Sequence, residues 1–262
     1  MPIEASSSST STIPLRVATW NIHAGVGSDG RYDPLRTLDV LLGLDADIIA
    51  LQEVAQLSHQ SEFLARLSDA LKVEIVTGCT RQHAGADYGN ALLSRFPVIA
   101  DARLDLSVHR HEPRGAIDAV VEVKGVRLRV MSAHLGLRPS ERRIQVRRLL
   151  RAIDSGAARP VVLMGDVNEW FLWGRPARWL HADFHARPAP RTFPAQWPLF
   201  ALDRIWVRPV ECLRRVTVHR TALARIASDH LPVTADIEIP FEMPPRSYGA
   251  VDMAKSVAVG SA

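Results

Sequence analysis

Short hydrophobic segments that are rich in β-branched residues and bounded by turn residues recur along the chain and predict a series of β-strands. Lys124-Gly125 separates two of these segments and is typical of a tight hairpin turn, so at least this pair is expected to be antiparallel. The predicted strands cover residues 15–20, 47–51, 73–77, 91–94, 116–123, 126–132, 161–164, 204–207, 213–218 and 233–239.

Three segments have the spacing of amphipathic helices. Asp33-Pro34 supplies a cap and a first-turn proline for the first, whose apolar face is predicted to consist of Leu35, Leu38 and Leu42. The second carries Phe63, Leu64, Leu67 and Leu71, and the third, residues 140–153, carries Val146, Leu149, Leu150 and Ile153. Many strands and few helices favour an α/β (α+β) fold in which two packed sheets are flanked by helices.

Composition adds bounds on the class of protein. The chain has 262 residues, of which 47% are hydrophobic and 23% charged, so it is not a wholly disordered protein. No apolar run is long enough to predict a membrane span, and the N-terminus lacks the pattern of a signal peptide. The two cysteines, Cys79 and Cys212, do not suggest a disulfide framework, so we expect a cytoplasmic protein.

The ends of the chain differ in composition from its centre. Residues 1–13 are rich in serine and threonine and are expected to form a disordered tail, and residues 241–262 are expected to form a flexible C-terminal tail. Between them we find no linker and no repeat, so residues 14–240 are predicted to form a single domain.

Polar side chains directly follow several of the predicted strands. Asp166 and Asn168 are two residues apart after an apolar strand, so their side chains point the same way if the strand continues. Glu53 follows another buried strand, and Asn21 follows a third. Each residue alone is more often a turn residue. Together, carboxylate and amide oxygens are the ligands that Mg²⁺ prefers.

Seven short motifs overlap or directly adjoin the predicted strands. They are Thr19-Trp20-Asn21-Ile22, Leu51-Gln52-Glu53-Val54, Gly89-Asn90-Ala91-Leu92-Leu93-Ser94, Ala133-His134-Leu135, Gly165-Asp166-Val167-Asn168, Leu202-Asp203-Arg204-Ile205 and Ser228-Asp229-His230-Leu231-Pro232. In these motifs and in their order the chain resembles the endonuclease/exonuclease/phosphatase family over residues 16–237. The resemblance implies a four-layer α/β/β/α sandwich of two mixed sheets and a hydrolase that cleaves phosphate esters with Mg²⁺, or with Mn²⁺ as a substitute.

The resemblance also implies roles at a metal and at an attacking water. Asn21 and Glu53 would hold the metal, with Asp229 beside it. Asp166 would orient and deprotonate the water, and Asn168 would contact the phosphate or the charge that develops on it. This is the chemistry of in-line attack by water on a phosphodiester.

Further residues would contact the phosphate. His230, oriented by Asp203, would contact the scissile phosphate, and His134 would line the phosphate pocket. The remaining substrate-binding candidates are Tyr88, Asn90 and Arg114, although a surface role for Arg114 is an equal alternative.

The substrate is less clearly indicated. The net charge of +4 favours an anionic partner, so nucleic acid is the first expectation, which makes the enzyme nuclease-like. A phospholipid, sphingolipid or phosphoinositide headgroup is the second. However, His23 stands where DNA-repair members of the family commonly have an acidic residue, which argues against repair of abasic sites. A non-catalytic phosphate-binding or interaction module is a minor alternative, and no obligate protein partner is inferred.

Two surface features leave alternatives open. The third helix carries an arginine-rich face that fits a nucleic-acid backbone, an anionic lipid or a plain solvated helix surface. Several tryptophans surround the Asp166 motif and fit base stacking, a bilayer interface or ordinary packing. These groups are Arg142, Arg143, Arg147, Arg148 and Arg151, and Trp170, Trp173, Trp179 and Trp197.

Overall fold

Two β-sheets pack face to face in the computed structural model, which describes residues 11–56, 61–83, 86–156, 160–171, 173–185 and 189–241. The first sheet has six strands in the order β10-β11-β1-β2-β4-β3, and the second has five in the order β5-β6-β7-β8-β9. Both are mixed, because β1 and β2 are parallel, as are β7 and β8, whereas the other neighbours are antiparallel.

The strands of the first sheet are β1 (Ser11–Asn21), β2 (Ile48–Gln56), β3 (Glu74–His83), β4 (Ala86–Ser94), β10 (Leu213–Val218) and β11 (Val233–Phe241). Those of the second are β5 (Val98–Asp105), β6 (Gly115–Val123), β7 (Val126–His134), β8 (Val161–Asp166) and β9 (Asp203–Arg208).

Five α-helices lie among the described residues: α1 (Pro34–Leu44), α2 (Ser61–Leu71), α3 (Pro139–Ser155), α4 (Arg175–Phe184) and α5 (Ala222–Ala227). Short 3₁₀ turns cover His23–Gly25 and Val210–Cys212. None of the helices in these residues combines the length and the hydrophobicity that crossing a bilayer requires.

Three hydrophobic clusters account for four layers. The central one lies between the sheets and includes Val17, Ile48, Val121, Val130 and Val162. A second joins the outer face of the first sheet to α1 and α2, and a third joins the outer face of the second sheet to α3 and α4. The order of layers is therefore α/β/β/α, and the predicted fold class is confirmed.

Some local expectations need correction. In α1 the buried side chains are Thr37, Val40, Leu41 and Leu44, whereas Leu35 and Leu42 are exposed, so the predicted apolar face was wrong. The helix contains two apolar stripes at helical spacing, and only packing against the sheet decides between them. Strand β5 and helices α4 and α5 were not predicted; β5 is an edge strand whose side chains are mostly exposed and show no alternation.

The ends of the sandwich also differ slightly from expectation. Strand β1 begins at Ser11, inside the segment expected to be a tail, and pairs with Phe241 at the end of β11. Residues 1–10 and 242–262, on which the other tail predictions fall, lie outside the described residues. The hairpin turn is confirmed: Lys124 and Gly125 both have positive φ, at 50° and 87°, between antiparallel β6 and β7.

Arg129 on β7 ties one sheet to the helix above it. Its guanidinium donates to both carboxylate oxygens of Asp118 on β6, at 2.8 and 2.6 Å, and to the carbonyls of Ala152 and Ile153 at the end of α3, at 2.8 and 3.0 Å. These carbonyls belong to the last turn of the helix, and each has one further donor, the Ser155 hydroxyl for Ala152 and the Gly156 N–H for Ile153. Every guanidinium nitrogen of Arg129 has an acceptor, so the buried charge is paired.

We predict that Arg129→Met lowers the free energy of unfolding by about 3 kcal/mol, because it leaves the Asp118 carboxylate without its ion-pair partner and removes one donor from each of two carbonyls at the end of α3. Urea denaturation measures this loss. Arg127→Met, two residues earlier on the exposed end of the same strand, is the matched control and should change stability by less than about 0.5 kcal/mol. Equal effects of the two variants would contradict the assignment.

Candidate active site

The candidate site lies at one edge of the sandwich, where the strands of both sheets end together. The carboxyl ends of the parallel strands β1 and β2 meet those of β7 and β8. Because β9 and β11 run antiparallel to their neighbours, their first residues reach the same edge. A hydrogen bond joins the two sheets at this edge, since the side-chain amide of Asn21 donates to Asp166 Oδ2 at 3.1 Å.

Glu53 reaches the site because β2 is irregular at that point. The pairing of β2 with β4 shifts between Leu51 and Val54, as in a β-bulge, and Glu53 has a φ of 57°. Its carboxylate accepts from the Tyr88 hydroxyl at 2.7 Å and from the Asn21 amide at 3.1 Å. The bulge therefore turns the Glu53 side chain toward the site, and hydrogen bonds from Tyr88 and Asn21 hold it in that direction.

Asn21 is the centre of this arrangement. Its Nδ2 donates to both Glu53 and Asp166, and its Oδ1 accepts from the backbone N–H of His23 at 3.0 Å. The Ser228 hydroxyl donates to the Asn21 carbonyl at 2.8 Å, which joins the start of the Ser228-Asp229-His230 segment to the end of β1.

Asp166 and Asn168 follow β8 as the sequence predicts. Asp166 is buried, and its Oδ1 accepts from the Asn168 N–H at 2.9 Å. Asn168 has a φ of 49°, a conformation that asparagine tolerates well, and its amide donates to the Leu135 carbonyl at 2.9 Å. Gly165 lets the strand approach β7 closely, since a Cβ there would lie 1.8 Å from the Ala133 oxygen.

His230 is held by a buried acid. Its Nδ1 lies 2.8 Å from Asp203 Oδ2, and that same oxygen accepts from the Thr192 hydroxyl at 2.6 Å. With Nδ1 engaged, Nε2 is the nitrogen that faces the site, 3.8 Å from Asp166 Oδ2. Asp203 therefore contacts His230, and its role in orienting the imidazole stays a prediction.

His134 lies between the two carboxylates on the other side of the cleft. Its Nε2 is 3.6 Å from Asp166 Oδ2, 3.9 Å from Glu53 Oε1 and 3.2 Å from Asn168 Nδ2. Its Nδ1 is 3.3 Å from the guanidinium of Arg114, which is itself buried and bonded to Glu112 at 2.8 Å. Arg114 is therefore part of the site and not a surface residue.

Two further candidates lie at the margin. The Asn90 amide donates to the Gly115 carbonyl at 2.9 Å, so it joins the two sheets beside Arg114. Asp229 is half-buried, and its Oδ1 lies 3.3 Å from the Ser228 hydroxyl oxygen. The structure brings all eleven predicted residues to this one edge, whereas their individual roles remain predictions.

The electrostatics divide these groups into anions and a cation. Burial raises the pKa of Asp166 to about 7, although His230 opposes this. Burial alone would lower the pKa of His230, but Asp203 and Asp166 outweigh it and raise the pKa to about 10, so the imidazole is protonated. For Glu53, burial also raises the pKa, yet His134, Tyr88 and Asn21 lower it overall, so this carboxylate is ionised.

The donor set fits a hard divalent cation. The carboxylates of Glu53 and Asp166 both accept from the side-chain amide of Asn21. The Oδ1 of buried Asp203 has no hydrogen-bond partner among the described residues. Asp166, Asp203 and His230 also place potential ligand atoms within 4.8 Å of one another. Because His230 Nδ1 is already bonded to Asp203, the carboxylate of Glu53 suits Mg²⁺ better, and Asn21 could join it if its amide turned its oxygen toward Glu53 in place of Nδ2.

Some contributing residues have no signal in the sequence. Thr192 lies in an irregular, proline-containing loop, and nothing there predicts its bond to Asp203. Arg142 belongs to the arginine-rich face of α3, yet it is fully buried and pairs with Glu169 at 3.2 Å, beside Asn168. A charged pair of this kind is visible only once the helix and the loop are placed together.

Comparison with known proteins identifies the family of this chain. The family model described as "Endonuclease/Exonuclease/phosphatase family" matches residues 18–230. The uncharacterized protein YbhP of Escherichia coli K12 is 32% identical over 255 residues, which cover 88% of this chain and 98% of that protein. The chain therefore belongs to the endonuclease/exonuclease/phosphatase family, whose members are generally hydrolases of phosphate esters and typically use a divalent metal.

Solved structures show the same fold. A Beutenbergia cavernae endonuclease/exonuclease/phosphatase is 24% identical with a TM-score of 0.69, and the match covers 87% of this chain and 72% of that one. A mannosyl-6-phosphatase from Bacteroides thetaiotaomicron is 17% identical with a TM-score of 0.66, covering 86% and 99%. At this identity the likeness establishes the fold alone.

We predict that Mg²⁺ stabilises the wild-type protein and not Glu53→Gln, because the amide cannot replace the ionised carboxylate as a ligand. At saturating Mg²⁺ the thermal midpoint of the wild type should rise by about 5–10 °C relative to EDTA. Glu122→Gln, on the exposed far end of β6, is the matched control and should keep the full rise. The same rise in Glu53→Gln, or none in the wild type, would refute the metal assignment.

Proposed function

We propose that this protein is a Mg²⁺-dependent hydrolase of phosphodiesters that uses direct in-line attack by water. The observation that carries the proposal is the position of Asp166. Its buried carboxylate faces the ring nitrogens of His230 and His134, at 3.8 and 3.6 Å, and shares the Asn21 amide with Glu53. The proposed base (Asp166), the cationic donor (His230) and the metal ligand (Glu53) thus lie close together at the same edge of the sandwich.

Asp166 is the proposed general base. A group is most effective in this role when its pKa is close to the operating pH, and burial raises the pKa of Asp166 to about 7. The Asn168 N–H occupies Oδ1 and leaves Oδ2 facing the cleft. From there Asp166 can take a proton from a water as that water forms its bond to phosphorus.

His230 is the proposed donor to the phosphate. Because it is protonated and its Nδ1 is bonded to Asp203, its Nε2–H is fixed toward the cleft. A charge-assisted bond from it would strengthen as charge develops on the phosphoryl oxygens. Arg114 and Asn168 are placed to contact other oxygens of the same group, and the leaving oxygen takes its proton from solvent.

The metal complements these residues. When bound at Glu53 and Asn21, with Asp229 nearby, Mg²⁺ would neutralise charge on the phosphate. The Tyr88 hydroxyl holds Glu53 in the direction this requires. The family membership supports this part of the proposal, since divalent metals are typical of the family.

Fewer arginines of α3 are available to bind a nucleic-acid backbone than the sequence suggests, which weakens the expectation of a nucleic-acid substrate. Of the α3 arginines, Arg142 is buried in an ion pair, and Arg148 donates to the carbonyls of Asp105 and Ser107. Arg147 lies over the Trp179 ring at 4.9 Å. Most arginines of this face therefore make contacts within the protein.

We propose a cytoplasmic location for the protein. Cys79 and Cys212 are not joined in a disulfide and do not form the disulfide framework that is typical of proteins in oxidising compartments.

The test is hydrolysis of bis(p-nitrophenyl) phosphate, a soluble diester, with Mg²⁺ and with EDTA. We expect turnover by the wild type only with the metal. Asp166→Asn should reduce the rate by about 10²–10⁴-fold, because the isosteric amide cannot accept the proton. Asp39→Asn, on the exposed side of α1, is the control and should retain full activity.

Two results would overturn the proposal. One is turnover in EDTA that equals turnover in Mg²⁺. The other is an Asp166→Asn protein, folded by circular dichroism, that keeps the wild-type rate. Loss of activity in both Asp39→Asn and Asp166→Asn would show that the decrease does not report on the base.

A further inference from the structure

A group of exposed hydrophobic side chains lies on three segments that lead to or from the candidate site. They lie on the loop after β7, the loop after β8 and the long segment before β9, which are the segments that also carry His134, Asn168 and Asp203 or lead into them. We call this group the rim; it consists of Leu137, Phe171, Trp173, Trp197 and Leu199, which are 58%, 52%, 72%, 78% and 60% exposed.

The three segments of the rim are joined to one another and to the site. Arg142 donates to the Leu137 carbonyl at 2.6 Å and pairs with Glu169, so it holds the first two segments together. The Trp170 ring packs edge-on against Phe193 and Phe200 of the third, at 5.6 and 4.9 Å. Phe193 in turn lies 4.8 Å from the His230 ring. The rim is thus continuous with the catalytic edge.

Core packing does not account for the rim. The same segments bury other apolar side chains, such as Val167, Ala195 and Leu202, so they are not simply too short to reach the interior. The two most exposed members are tryptophans, which lose more by exposure to water than most side chains. A cluster of this kind in a soluble protein usually marks a contact surface.

The exposed charges on the three segments that carry the rim are positive. Residues 135–138, 167–175 and 189–202 contain one acidic residue, Glu169, and it is buried against Arg142. In contrast, Arg138, Arg175 and Arg191 on the same segments are exposed. The surface is therefore apolar with a basic surround, which complements a partner that is apolar inside and anionic outside.

We infer that the rim docks on an anionic phospholipid bilayer, so that the site receives the headgroup phosphodiester of a membrane lipid. This rests on the proposed function and names its substrate class. Tryptophan prefers the interfacial region of a bilayer, and each arginine on the rim can pair with lipid phosphate. Water then adds OH to phosphorus and H to the leaving alcohol while one P–O bond breaks, so no other reactant is needed.

The two leucines of the rim favour a bilayer over nucleic acid as its partner. Aromatic side chains and arginines serve both, since bases stack on aromatic rings and phosphates pair with guanidinium groups. Leu137 and Leu199 offer no flat face for a base, yet they gain free energy on entering hydrocarbon. The combination of exposed leucines and tryptophans therefore favours the bilayer.

The test is sedimentation of EDTA-treated protein with vesicles of phosphatidylglycerol and phosphatidylcholine, together with quenching of tryptophan fluorescence by brominated lipid. We expect the wild type to bind and to be quenched. The double variant Trp173→Ser/Trp197→Ser should bind at least about 10-fold more weakly. The control is Leu42→Ser/Ile99→Ser, which changes two side chains of 46% and 45% exposure at the opposite end of the sandwich.

Hydrolysis is measured separately on vesicle phospholipid and on the soluble diester. For the double variant, the ratio of the vesicle rate to the soluble rate should fall at least about 10-fold. Three results would overturn the inference: a wild type that stays in the supernatant, a double variant that binds like the wild type, or rim-dependent binding of single-stranded DNA without binding of vesicles.

The two proposals fail in different ways. Hydrolysis of the soluble diester that depends on Asp166, without vesicle binding, would overturn the docking surface and leave the hydrolase standing. Vesicle binding that depends on Trp173 and Trp197, without hydrolysis of any diester, would support the docking surface and overturn the proposed function.

Discussion

The contact between Asn21 and Asp166 is the constraint on which the rest of the site depends. These residues end strands in different sheets, and their 3.1 Å hydrogen bond forms where the sheets meet. Because the same amide also bonds Glu53, the metal side and the base side are positioned by one group. Packing of Val17, Ile48, Val130 and Val162 between the sheets keeps these strand ends in register. The hydrophobic core thus sets the geometry of the chemistry.

Holding the site in this geometry lowers the stability of the folded protein in two ways. Glu53 and Asn168 both have positive φ, at 57° and 49°, which is uncommon for residues other than glycine. Burial of Asp166 beside Asp203 is unfavourable while both are ionised, which is why the pKa of Asp166 is raised. Protonated His230 offsets part of this cost, and a divalent cation would offset more. The site is therefore held in place by the fold and completed by positive charge.

Much of this was predictable, because strand ends can be read from apolar segments and Asn21, Glu53 and Asp166 directly follow them. The hairpin at Lys124-Gly125 and the buried face of α3 are likewise local properties. The bulge that turns Glu53 depends on pairing with β4, and the bond from Thr192 to Asp203 depends on where a long loop lies. Both arise from contacts between distant segments. For the same reason, sequence spacing did not separate the fully buried Arg142 from the other, more exposed arginines of α3.

In the proposed reaction water attacks phosphorus directly and Asp166 accepts its proton, so hydrolysis proceeds through a single displacement at phosphorus. The measurement that tests this is the stereochemical course of hydrolysis of a chiral phosphorothioate diester in ¹⁸O-water. We expect one ¹⁸O in the phosphorothioate monoester, none in the released alcohol and inversion of configuration at phosphorus, because the water enters opposite the leaving oxygen. Retention of configuration would show two successive displacements through a covalent intermediate on the protein, and label in the alcohol would place the cleavage at carbon; either result would rule out direct attack by water.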